Sequence, residues 1–342
     1  MSELQTTHRI DGFRGINNVQ DPNRLQISKE NLAYLTSADN TDITDDYRAT
    51  RRSGFEAVYT GVSGIHSLYA TDDTCLFVDG SGLYTFDTTF ASSLIASGLT
   101  PDLRMYYTDV GQYIYFSNGV DKGYVYNSAA YNYMSPVDEF KKVMPSGKHL
   151  EYYDGRLYVA DGTIIYVSDP YLLQQYDERS GLIPFDSNIT FVKATNDALW
   201  VGTEKNVYLL QGGSPRDFIV STKADYGAIE NSAVVTTATN VGLEADGKVV
   251  IFATKRGVCA CMAGGLFRNM TDDHYHFLID VQNASALINT EEDKHQYIML
   301  TELYTVGQTG RLATDFPFIS QEMADSPWSL PTLRVSFTGV FA

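Results

Sequence analysis

Several groupings in this sequence have residue types that could do chemistry. Asp272-Asp273-His274-Tyr275-His276 brings metal-ligand types together, and on a strand His274 and His276 would share a face. A polar loop with two solvated histidines is the commoner outcome of such a string, so no metal is expected there. Asp39, Asp42, Asp45 and Asp46 have the charge of a calcium loop but lack an EF-hand's ligand spacing and central glycine. A turn rich in aspartate accounts for them better. Asp154, Asp197 and Asp246 could crowd one rim as carboxylates for glycoside cleavage. They recur at equivalent places of a repeat, however, and residues repeated by position cap turns, whereas a catalytic set breaks the repeat. Cys259 and Cys261 alternate along a strand and read as small buried hydrophobes. The sequence holds no His-Glu-x-x-His, no P-loop and no Gly-x-Ser-x-Gly elbow. No catalytic residue, metal or cofactor is expected, and the chain does not read as an enzyme. Arg14, Arg51 and Arg52 could touch phosphates, but in an acidic chain Arg51 and Arg52 are expected to pair with carboxylates of a neighbouring subunit or of the local Asp cluster.

The elements around these residues are short strands. In residues 149–170, Tyr153-Asp154-Gly155 leads into Leu157-Tyr158-Val159, Ala160-Asp161-Gly162 turns the chain, and Ile164-Ile165-Tyr166-Val167 returns. Asp-Gly between β-branched and aromatic runs is a hairpin signal, because glycine accepts the positive φ of the turn. The same order of hinge, strand, turn and strand recurs from Asp72, Asp109, Asn196-Asp197 and Asp246-Gly247, and more faintly from Glu292-Asp293. The spacing of roughly 40–50 residues is that of four-stranded propeller blades. Such a blade cannot bury both faces alone, so several must pack in a ring, which also leaves only short edges. The expected fold is all-β, a β-propeller of about six blades with an extended N-terminal arm; a β-sandwich with similar hairpins is the alternative.

Composition agrees. The 342 residues are 44% hydrophobic and 13% aromatic, with 24 tyrosines, which suits strands whose rings pack on one side and reach water with the hydroxyl. The net charge of −17 repels phosphate backbones and disfavours nucleic-acid binding, while allowing a surface past which DNA slides without sticking. Three cysteines without a framework spacing do not suggest a disulfide-built secreted domain. The N-terminus is polar and no run reaches a membrane span, so a soluble chain without a membrane anchor, made in a reducing compartment, is expected.

Taken in order, residues 1–31 read as an arm and 32–342 as the propeller. The arm carries Gly12, Phe13, Arg14, Gly15, Ile16, Asn17 and Asn18, an extended, turning segment suited to docking on a neighbour or on its own domain. Leu32, Leu35 and Ala38 could begin a helical turn; short strands are expected around Asn40–Ile43 and Ala49–Arg51, joined at Asp45-Asp46-Tyr47. A helical turn is expected within 137–143, a loop and one strand within 212–239, and a short helix or loop within 272–283. The alternating Leu333, Val335 and Phe337 read as a final strand that would complete a blade begun near residues 55–69.

GFRGINNV at the arm, Ala38 to Ile43, and Arg51, Arg52, Gly54 and Phe55 together resemble the opening of a family of tailed-bacteriophage virion proteins. A second match is Ser214 to Phe218 with Tyr226 to Val234. The family includes tail nozzle, or packaged-DNA stabilisation, proteins. The resemblance implies β-propellers in a sixfold ring beneath the head–tail adaptor, continuing the DNA channel, retaining the genome and receiving tail tip or fibre proteins. It further implies a place in the virion tail, assembled in the host cytoplasm, with double-stranded DNA passing unread and the negative charge on the inner wall. Nozzle proteins are often longer than this chain, so a tip or baseplate propeller that binds the host surface is the alternative; a hydrolase on the same fold comes third.

Overall fold

A computed structural model describes residues 10–17, 19, 32–35, 41–43, 47–51, 65–136, 138–241, 246–272, 283–290, 296–302 and 332–338. The protein is all-β. It divides into two compact units, one comprising Met1–Ser53, Ala228–Met262 and Leu266–Ala342, the other Gly54–Gly227 with Ala263–Gly265.

The first unit begins with four short strands, β1 (Gly12–Ile16), β2 (Leu32–Leu35), β3 (Thr41–Ile43) and β4 (Ala49–Arg51). β1 runs parallel to β2, and β3 and β4 form a small antiparallel pair with Asp42 opposite Thr50. The β3 and β4 strands lie where the sequence places them. Leu32–Leu35 is strand instead of the expected helical turn, because pairing with β1 satisfies its backbone where four residues could not sustain a helix.

The second unit holds four four-stranded sheets. The first contains β5 (Ile65–Ala70), β6 (Cys75–Asp79), β7 (Gly82–Phe86) and β8 (Ser92–Ser97). The second contains β9 (Tyr106–Val110), β10 (Tyr113–Ser117), β11 (Lys122–Tyr126) and β12 (Ala129–Tyr131). Then come β13 (Lys141–Val143), β14 (Lys148–Tyr153), β15 (Arg156–Asp161), β16 (Ile164–Val167), β17 (Gln175–Asp177) and β18 (Leu182–Pro184). Of these, β14, β15, β16 and β18 form the third sheet, while β13 and β17 pair with each other. The fourth contains β19 (Ile189–Ala194), β20 (Leu199–Thr203), β21 (Val207–Gln211) and β22 (Ile219–Ala224). Each sheet is an antiparallel meander in chain order.

The first unit continues with a fifth such sheet, β23 (Val234–Thr237), β24 (Lys248–Thr254), β25 (Gly257–Met262) and β26 (Leu266–Asn269). A three-stranded sheet follows, of β27 (Ala284–Asn289), β28 (Gln296–Glu302) and β29 (Thr332–Thr338).

Cores form between successive sheets. Ile114, Phe116 and Val125 of the second sheet pack with Leu76, Val78 and Leu83 of the first. Its other face sends Tyr115 toward Leu150, Leu157 and Val159 of the third. Tyr158 and Ala160, on the opposite side of β15, meet Val192, Leu199 and Val201 of the fourth. Within the first unit, Val249, Ile251 and Ala253 pack with Ala284, Tyr297 and Met299. This explains why the second strands of the second and third sheets are apolar runs: each is covered on both faces, and each fully buried aliphatic side chain contributes about 1.5–3 kcal/mol. Successive sheets stacked face to face are propeller-like, and two-sided covering of this kind differs from the single inner face of a sandwich strand.

The turns are tight. Asp154 and Gly155 join β14 to β15 with positive φ at both residues (45° and 73°), the geometry of a type I′ turn. In the next hairpin Asp161 is the last residue of β15, and Gly162-Thr163 makes the turn. The expected Ala160-Asp161-Gly162 turn is thus displaced by one residue.

Other expectations are corrected. The 137–143 segment turns at Asp138–Lys141 through a Lys141 N–H to Asp138 carbonyl bond (3.1 Å) and then becomes β13, paired with β17; residue 137 lies outside the described residues. Residues 212–239 contain two strands, because β22 completes the fourth sheet before β23 opens the fifth. The final strand exists, but β29 pairs with β28 over seven residue pairs, Gln296↔Thr338 to Glu302↔Thr332. It forms no ladder with β5. Of the stretch 55–69 expected to share its blade, 55–64 lie outside the described residues and 65–69 belong to β5, hydrogen-bonded to β6. A long antiparallel ladder to β28 satisfies the strand's backbone within its own sheet.

Candidate interaction site

The arm residues are placed as a docked strand. Gly12 is buried beneath Tyr47, the Phe13 N–H donates to the Tyr47 carbonyl (2.7 Å), and the Asn17 N–H donates to the Leu35 carbonyl (2.9 Å). Arg14, Gly15 and Ile16 continue β1, and Asn18 lies outside the described residues. Arg51 is exposed at the end of β4, opposite Thr41, while Arg52 lies outside the described residues.

The chemical candidates scatter. Asp42 faces Thr50 on β3, and Asp39, Asp45 and Asp46 lie outside the described residues. Asp272 accepts from the Asn269 amide (3.3 Å), and residues 273–276 lie outside the described residues. Asp154 occupies the type I′ turn. Asp197 accepts from the Thr195 hydroxyl (3.2 Å) and from the Gly264 N–H (2.7 Å), in a turn that Thr195 closes onto Ala198. Capping is the task expected of it. Cys259 and Cys261 are both buried on β25.

The second matched segment does more structural work. Ser232 is fully buried; its hydroxyl donates to the Ile229 carbonyl (2.7 Å) and accepts the Ala253 N–H (3.1 Å), and its own carbonyl accepts the Tyr297 hydroxyl (2.7 Å). In the other unit, a Cβ on Gly227 would collide with the Glu204 backbone, so only glycine permits that approach.

The second unit also contains a cleft of ≈ 280 Å³, lined by Lys141, Arg156, Ser168, Asp169, Asp177, Ser180, Ser214 and Arg216 among others. Its wall is the β13–β17 pair, in which Lys141 stands opposite Asp177. Lys141 Nζ lies 2.8 Å from Asp169 Oδ1 and 3.5 Å from Asp177 Oδ2. Arg179 grips the Asp177 carboxylate with Nε (3.1 Å) and Nη2 (2.9 Å) while stacking over the Phe140 ring at 4.3 Å. Those Arg179 hydrogen bonds, with the backbone N–H of the same residue, hold Asp177 well below the usual carboxylate range. Hydrogen bonding to Asp169 in turn raises the Lys141 ammonium.

Arg156, the first residue of β15, donates Nη1 to the Ser168 carbonyl (2.8 Å). Ser168 is itself locked: buried, its hydroxyl accepts the Leu157 N–H (2.8 Å) and donates to the Asp169 carbonyl (3.0 Å). Arg216 stands exposed on the Ser214-Pro215-Arg216-Asp217 turn, which is closed by the Asp217 N–H to the Ser214 carbonyl and by the Ser214 hydroxyl to Asp217 Oδ2, both 2.9 Å. Sequence reasoning missed this cleft. Its one signal was the second matched segment, whose Ser214 and Arg216 line it.

A second feature is a strip of tyrosines on one face of the second sheet. Tyr113 stacks on Tyr126 at 4.8 Å and Tyr124 on Tyr131 at 5.4 Å, with Tyr115 beside Tyr124 at 5.7 Å. Tyr113 and Tyr131 are exposed at its ends.

No family model matches the chain, and no curated protein matches it. Among solved structures, the extracellular domain of a hybrid two-component system of B. thetaiotaomicron is similar over 72% of this chain, at 14% identity and a TM-score of 0.48. A chain of BBS1N, solved in complex with ARL6DN, is similar over 70% of this chain and 75% of its own, at 9% identity and a TM-score of 0.43. This chain spans 32% of the length of that extracellular domain.

Proposed function

We propose that this chain is a structural, non-enzymatic component of a bacteriophage tail, a nozzle ring below the portal and adaptor that continues the DNA channel and retains the packaged genome. In this reading the six sheets are blades of one β-propeller, six copies form the ring, and the docked arm and Arg51 take part in assembly. The observation that supports it is the use made of the matched segments. Gly12, Gly227, Ile229 and Ser232 build close backbone approaches and buried hydrogen bonds, and Ser214 closes a turn, so the residues that carry the resemblance are framework residues. Double-stranded DNA passes such a ring without being read, because a chain of net charge −17 denies phosphates a landing site.

Mass photometry of the purified chain, alone and with the cognate adaptor complex, tests the proposal. A defined ring that appears on the adaptor is the expected result. A monomer or trimer that ignores the adaptor would refute the nozzle. The tyrosine strip ending in exposed Tyr113 and Tyr131 favours a second reading, a tail-tip propeller that contacts a host surface, since exposed aromatic faces suit sugars and receptors. Antibody access in intact virions separates the two, because a tip is reachable and a mid-tail ring is covered.

A further inference from the structure

We propose that the cleft between the β13–β17 pair and the Ser214–Asp217 turn binds one oxyanion group, a carboxylate or a phosphate, between the guanidinium groups of Arg156 and Arg216. The inference stands whether or not the chain belongs to a tail.

Local charge carries the argument. Lys141 and Arg179 already have Asp169 and Asp177, which account for both acids of the cleft. Arg156 and Arg216 remain, and among the described residues neither has a carboxylate partner. Two cations without a carboxylate partner thus line one cleft of a chain that has 42 acidic residues. Arg156 is also held in place before any ligand arrives, and Arg216 is carried on a closed turn. The Arg156 bond to Ser168 rests on a buried, doubly bonded serine and leaves the other guanidinium donors free. Arg216 follows a proline inside a closed turn, which limits the backbone freedom it would lose on binding. Ser180, also in the lining, adds a hydroxyl donor.

Size and charge both admit an oxyanion. A volume of ≈ 280 Å³ leaves room for an oxyanion and a few atoms behind it. Guanidinium groups match carboxylate and phosphate oxygens through paired, charge-assisted hydrogen bonds. The oxyanion could be free in solution or could be an Asp or Glu side chain of a second copy of this chain.

Calorimetric titration with inorganic phosphate and with acetate, on the wild-type chain and on Arg156→Gln and Arg216→Gln, tests the site, and sedimentation velocity with and without phosphate distinguishes the sources. Saturable binding of one anion per chain, weakened about tenfold or more by either substitution, is expected for a free ligand. Self-association that phosphate disperses and Arg216→Gln abolishes would assign the site to a carboxylate of a second copy. Arg216 is exposed, so its variant folds even if the Arg156 variant does not, and thermal melts of both check this. Absence of anion binding together with self-association that is absent or indifferent to phosphate overturns the proposal. So does anion binding that survives both substitutions.

Discussion

Ser232 shows how much one hydroxyl can hold. Replacing it with alanine strips the buried Ala253 N–H of its 3.1 Å acceptor and removes the bond to Ile229. The expected loss is about 1–3 kcal/mol, read as a lower urea midpoint with an unchanged m-value. Asp177 makes a prediction in pH. Its folded carboxyl is held below the unfolded value of about 3.9 by hydrogen bonds from Arg179. The stability it contributes is therefore fully present above that value and is lost as pH falls toward the folded one. Acid titration of Asp177→Asn should show a shallower decline in stability below about pH 4 than wild type; an identical decline would remove Asp177 from the account. The sequence disclosed neither role. Ser232 and Ala253 are separated by the whole of β23 and its connection, and the Asp177 environment is assembled from residues 138 to 179 only once β13 meets β17.

At the level of elements, the hairpins were legible because their determinants are local. Asp154-Gly155 needs positive φ at both residues, and Gly is the residue that adopts it without a Cβ penalty. A valine at Gly155 is expected to cost about 1–2 kcal/mol, plus any displacement of the Tyr171 ring, 3.1 Å from where its Cβ would sit; urea denaturation would measure it. The last strand was legible as a strand but not in its partner. Alternating Leu333, Val335 and Phe337 specify extended chain, whereas the choice of β28 depends on which edge offers a complete ladder. Deleting residues 332–342 should therefore remove hydrogen-exchange protection from the alternate amides of Gln296–Glu302 that bond β29, and spare those bonded to β27 and the β5–β6 ladder.

For the whole molecule, charge sets behaviour in solution. A net charge of −17 keeps copies apart at low ionic strength, and the screening length falls from about 10 Å at 0.1 M salt to about 3 Å at 1 M. Light scattering should record any association of copies strengthening as salt rises over that range; an association that salt weakens would instead be held by ion pairs. Sequence by itself determined the all-β class, the repeated meander and the tight turns, because period-two alternation and Asp-Gly or Asn-Gly chemistry act within a few residues. Tertiary structure alone decided that β13 and β17 pair, that β29 joins β28, and that Arg156 and Arg216 line one cleft. Those outcomes depend on which distant segments meet, and a backbone donor or a guanidinium has no preference among acceptors until folding places one within reach.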